Sequence, residues 1–114
     1  MDNCLFCKII KGEVPSNKVY EDDFVYAFRD IQPMAPVHVL MVPKVHISSV
    51  NDLTEDNSDS VARIFAAAPN IAHQLGVDKS GYRIVSNCGE DAGQTVFHLH
   101  FHLLGGQKLK TEMC

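Results

Sequence analysis

Three histidines, His98, His100 and His102, alternate with Leu99, Phe101 and Leu103 in the run from Val96 to Leu104. In a strand, successive side chains fall on opposite faces, so the imidazoles share one side and the apolar residues the other. Imidazole is the one side chain whose unperturbed pKa lies near neutrality, and three of the chain's six histidines sit here. Such a face suits three chemistries. A neutral imidazole can attack phosphorus while neighbours hold the phosphoryl oxygens. Three histidines can hold a metal with water in the fourth position. Or the rings are structural, solvated or hydrogen-bonded.

Geometry bears on the first two. Alternate residues lie about 6.5–7 Å apart along a strand, so the outer pair must span about 13 Å and converges poorly on one ion. The middle ring, His100, is flanked on both sides, as a supported nucleophile would be. The segment Asn87–Thr95 adds Gly89 and Gly93, where backbone amides can approach an anion closely, and Asn87, Gln94 and Thr95 as neutral donors. Arginine clamps are absent, so one phosphate of modest charge fits better than a triphosphate. Cys4 and Cys7 form a second constellation with two-residue spacing. They read as metal ligands, a redox dithiol or two buried small hydrophobes. A redox pair would normally open a long helix after a strand, which this pair does not. Cys88 and Cys114 have no partner pattern and read as incidental.

The elements that must position these residues follow from periodicity. Residues 4–11 have helix-like apolar spacing and stop at Gly12. Residues 18–21 and 24–29 read as strands around Asp22-Asp23, residues 38–42 as a third strand closed by Pro43, and residues 46–50 as a short helix. Thr54 is a candidate N-cap for the one long helix, in which Val61, Ile64, Phe65, Ala68, Ile71, Ala72 and Leu75 recur at threes and fours. Pro69 falls inside it and predicts a bend or break near 66–69. Residues 82–87 form a fourth strand, residues 96–104 the histidine strand, and 107–114 a polar tail. The expected architecture is α+β: a five-stranded antiparallel sheet, covered on one face by the long helix, with the histidine side facing a groove.

The 114 residues, 46% hydrophobic and 21% charged, imply one domain with a single core. A net charge of −4 with scattered basic residues argues against a nucleic-acid partner. No run approaches the length of a membrane span, and the first residues lack a secretory pattern, so the chain reads as cytoplasmic, where disulfide frameworks are rare.

The run His98-Leu99-His100-Phe101-His102-Leu103-Leu104 resembles the signature of the histidine-triad (HIT) family of nucleotidyl hydrolases and transferases. Further likeness to its Hint-type branch, the nucleoside phosphoramidases, runs through Phe6-Cys7-Lys8-Ile9-Ile10, Ala27-Phe28-Arg29-Asp30-Ile31, Ala35-Pro36-Val37-His38, Val42-Pro43-Lys44-Val45-His46-Ile47 and Gly93-Gln94-Thr95. The resemblance implies a purine nucleoside 5′-phosphoramidate, with adenosine as the expected base, cleaved through a nucleotidyl-histidine intermediate on His100. His102 would hold the α-phosphate and His38 would support proton movement. Asp30 would accept from the ribose hydroxyls, Ile31 would pack on the sugar or base, and Asn87, Gly93, Gln94 and Thr95 would line the phosphate and leaving-group side. It also implies a homodimer and a structural zinc held by Cys4, Cys7, His46 and His98, with no catalytic metal required. Giving His98 to the metal resolves the poor convergence of three collinear rings. Without the resemblance the same residues have plainer readings: Asp30 a turn or cap, Ile31 core, Thr95 a strand entry, His38 a core histidine and His73 surface. Within the family, dinucleoside polyphosphate hydrolysis or nucleotidyl transfer is the alternative, and outside catalysis a nucleotide-binding module.

Overall fold

A computed structural model describes residues 3–113; Cys114 lies outside the described residues. In chain order the elements are α1 (Leu5–Ile10), β1 (Lys18–Glu21), β2 (Val25–Arg29), β3 (Val37–Pro43), α2 (Asp59–Gln74), β4 (Tyr82–Val85) and β5 (Phe101–Gly105). Single turns of 3₁₀ helix cover Val50–Asp52 and Glu90–Ala92. The five strands make one antiparallel sheet in the order β1-β2-β3-β5-β4, the expected α+β architecture.

Side-chain alternation divides this sheet into two unequal faces. Val25, Ala27, Val39, Met41, Phe101 and Leu103 bury against Ile64, Ala67, Ala68, Ile71 and Ala72 of α2. Each large aliphatic side chain buried here contributes about 1.5–3 kcal/mol, so this layer holds the fold. On the opposite face Tyr26, Phe28, Leu40 and Val42 bury against Phe6 and Ile9 of α1, a helix of six residues, with Val14 and Val96 at the margin. One turn and a half of helix cannot cover a five-stranded sheet, and the rest of that face stays open.

Five local expectations need correction. The histidine strand is shorter than residues 96–104: pairing with β3 begins at Met41 opposite Phe101, and residues 96–100 lie outside it. Pro43 has no N–H for a continuing ladder, and its carbonyl accepts from His98 Nε2 instead, at 2.8 Å. Residues 46–49 form no helix: Ile47 O accepts from Leu99 N at 2.6 Å, Ser49 is extended, and the 3₁₀ turn starts only at Val50. Thr54 and Asn57 cap each other's backbone N–H groups in the turn that precedes α2, which itself begins at Asp59. Helix α2 runs unbroken through Pro69, although the missing N–H denies the Phe65 carbonyl its partner. β4 also stops at Val85, two residues before the expected end.

Candidate active site and metal centre

The alternation of the histidine segment survives the loss of the strand. Leu99, Phe101 and Leu103 all enter the α2-side core. His100 packs its edge against Phe6 and His102 on the other side, with ring centroids 5.1 Å apart in both cases. The two rings open onto a cleft of about 630 Å³ whose apolar walls include Phe6, Phe28 and Leu40 and whose rim includes Asp30 and Thr95.

Hydrogen bonds fix the ring protons. A carbonyl only accepts, so His100 Nδ1 donates to His98 O at 2.7 Å, and the neutral ring keeps its lone pair on Nε2. Met34 N donates to His38 Nδ1 at 3.0 Å, which leaves the proton of neutral His38 on Nε2. That Nε2 lies 2.9 Å from His102 Nδ1 and donates to it, which places the remaining His102 proton on Nε2. The pairing comes from sheet register, because Leu40 faces His102 and His38 faces Leu104, making the two histidines diagonal neighbours on one face. His38 is 5% exposed and stands behind His102, outside the cleft lining.

Asp30, His38 and His102 are close enough to suggest a second set of metal ligands. The Met34 amide argues against it. A metal on His38 Nε2 would require the proton on Nδ1, directly opposite another N–H donor. The group is a hydrogen-bonded histidine pair with a carboxylate beside it.

Burial pushes His102 down to about 4, helped by His100 and His38 and opposed by Asp30. Burial also lowers His38, again opposed by Asp30. Both rings are therefore neutral at pH 7. The folded protein then binds fewer protons than the unfolded chain below the ordinary histidine value of about 6.5. Stability is expected to be flat above that pH and to fall between about pH 6.5 and pH 4. Urea unfolding midpoints across this range check it, and His102→Gln should flatten the slope. An unchanged slope in that variant would remove the assignment.

The four other expected ligands do meet. Cys4, Cys7, His46 and His98 bring their donor atoms within 4.8 Å of one another and are positioned to hold a metal. The two Nδ1 atoms are 3.2 Å apart, and sulfur-to-nitrogen distances are 3.3–3.5 Å. A tetrahedral zinc with ordinary bond lengths gives edges of about 3.3 Å between nitrogens and about 3.6 Å between nitrogen and sulfur. The donor set therefore fits. His98 Nε2–H is held by Pro43 O, so Nδ1 presents a lone pair to the thiols. Burial, first of all, lowers His98 to about 4, which keeps the ring neutral, as a ligand must be. Burial and Cys4 raise the Cys7 thiol, the situation in which a cation, rather than solvent, favours the thiolate.

Other expected residues fall into distinct positions. Ile31 is 89% exposed at the cleft edge, so it is no core residue. Gly89 and Gly93 take φ of +86° and +88°, conformations that exclude most side chains. Gln94, next to Gly93, is buried; its amide nitrogen donates to Ser48 O and Val96 O while Oε1 accepts from Gly89 N. Both amide hydrogens are thus committed to holding the loop. Asn87 and Gly93 do not line the cleft. What sequence reasoning missed is the apolar wall, Phe6 above all. Phe6 sits between the two cysteines, and only their joining to His98 carries it to His100.

Comparison with known proteins gives a consistent picture. Residues 11–109 match the family model of the HIT domain. The purine nucleoside phosphoramidase of Escherichia coli (strain K12) is 44% identical over 108 residues, covering 95% of this chain and 91% of that protein. A HIT family hydrolase from Clostridium thermocellum superposes with a TM-score of 0.97 at 51% identity, covering 100% of this chain and 99% of the other. A histidine triad protein from Clostridium difficile gives 0.94 at 50% identity, covering 98% and 96%.

Proposed function

Because the chain belongs to the HIT domain family and is a hydrolase of that family, we propose that it cleaves purine nucleoside 5′-phosphoramidates through a nucleotidyl-histidine intermediate on His100. The observation that carries this reading is the hydrogen bond from His100 Nδ1 to His98 O, which leaves Nε2 as the lone-pair nitrogen of a ring lining the cleft. His100 Nε2 attacks the α-phosphorus; the phosphorus–nitrogen bond breaks, and the leaving nitrogen takes up a proton and departs as an amine. Water then attacks the same phosphorus, releasing the nucleoside monophosphate, a proton and free His100. His102 directs its Nε2 proton at a phosphoryl oxygen, where charge grows in the transition state. Its low proton affinity keeps it a neutral donor throughout. Asp30 accepts from the ribose hydroxyls and Ile31 covers the sugar or base. Adenosine as the base rests on the sequence resemblance together with the purine preference in the name of the E. coli relative.

The ion at Cys4, Cys7, His46 and His98 is zinc, and its role is structural: four protein ligands leave no open position for a substrate. It ties α1 to the segment before β5. The protein works in the cytoplasm, a reducing compartment in which Cys4 and Cys7 stay available as thiolate ligands. The chain works as a twofold dimer, which would cover an edge strand; β4, half-buried along its length, is one of the two edges.

The test is mass spectrometry of protein quenched during turnover of an adenosine phosphoramidate. A mass gain of one nucleotidyl group on the peptide spanning 97–104 is expected. Turnover with the label absent from that peptide would move the reaction to another mechanism.

A further inference from the structure

Asp30 has two differently engaged oxygens. Oδ1 accepts from Gln32 N at 2.8 Å, which fixes the carboxylate at the cleft rim. Oδ2 lies 3.4 Å from His38 Nε2, the same nitrogen that donates to His102 Nδ1 at 2.9 Å. The Met34 amide prevents His38 from carrying a second proton on Nδ1 without placing two donors head to head. That one proton is hydrogen-bonded to the phosphate-facing histidine, and the Asp30 carboxylate stands near the same nitrogen as a second acceptor within reach. Asp30 and His102 are the ionisable groups beside His38, and His100 is the other one beside His102.

We propose that Asp30 is a positioning residue as well as a ribose ligand: in the free protein it competes for the His38 proton, and bound ribose hydroxyls end that competition. This rests on the reading of Asp30 as the ribose acceptor. Hydroxyls donating to Oδ2 weaken the carboxylate as an acceptor. The His38 proton then goes fully to His102, and a ring that accepts more strongly at Nδ1 donates more strongly at Nε2. Sugar binding is thereby felt at the phosphate. That is how contacts remote from the reacting bond raise kcat rather than merely lower KM.

The consequence is a crossing pattern. In the wild-type protein a 2′,3′-dideoxyadenosine phosphoramidate should lose kcat by about threefold to tenfold relative to its ribose counterpart, the scale of one hydrogen bond. Asp30→Asn retains Oδ1 for Gln32 and removes the acceptor opposite His38. In that variant the two substrates should share one kcat, with the dideoxy value above the wild-type value for the same substrate. Asp30→Ala should behave likewise. A spectroscopic arm uses wild-type protein alone: the His38 Nε2 proton resonance should move downfield with adenosine monophosphate and stay in place with the 2′,3′-dideoxy monophosphate. A penalty confined to KM, or a dideoxy kcat that is unchanged or lower in Asp30→Asn, overturns the inference and leaves the hydrolase reading standing. Failure of the wild-type protein to turn over the ribose substrate removes both.

Discussion

Turnover in His100→Ala is expected to fall by about 10⁴-fold or more, with adenosine monophosphate still bound and the fold kept. The size follows from the role. A covalent route loses its first bond when the nucleophile is removed, and neither neighbour can replace it. His102 Nδ1 accepts from His38, and its Nε2 carries a proton. His98 Nδ1 faces two thiols, away from the cleft. The stability cost should be small by comparison, about 1–2 kcal/mol, since the ring makes edge contacts to Phe6 and His102 and one hydrogen bond to backbone. Steady-state rates, calorimetric binding of the monophosphate and a melting curve on one preparation separate the effects. A variant within tenfold of wild-type activity would end the nucleophile assignment.

Removing the proposed zinc should do the opposite, costing stability before chemistry. One zinc per chain is expected by elemental analysis, and none in Cys7→Ser. A metal that binds only the folded state adds its binding free energy to folding. Loss of even about 3 kcal/mol lowers the melting temperature of a domain this size by about 10 °C. Below that lowered transition, kcat should stay within a few-fold of wild type, because the donor atoms point away from the cleft. The residual effect passes through the backbone, as His98 supplies the carbonyl that orients His100. Chelation that stops turnover while the melting curve is unchanged would make the metal catalytic.

Sequence alone determined the parts that periodicity and local chemistry control. The apolar stripe of α2 and the alternation around His100 each follow from a repeat that one face of an element must bury. Asp22, whose side chain caps Phe24 N and Val25 N, made the turn between β1 and β2 legible for the same local reason. Tertiary structure decided whatever depends on distant segments meeting. The histidine strand lost residues 96–100 because Pro43, more than fifty positions earlier, cannot donate to its ladder. The proton positions on His38, His100 and His102 were set by a loop amide, a backbone carbonyl and a diagonal register. None of these leaves a trace in local composition. Gln94 was legible as a polar loop residue, yet only packing against Ser48 showed its amide turned inward. Periodicity reports which way a side chain points from its own backbone. Which atom waits there is a property of the folded chain.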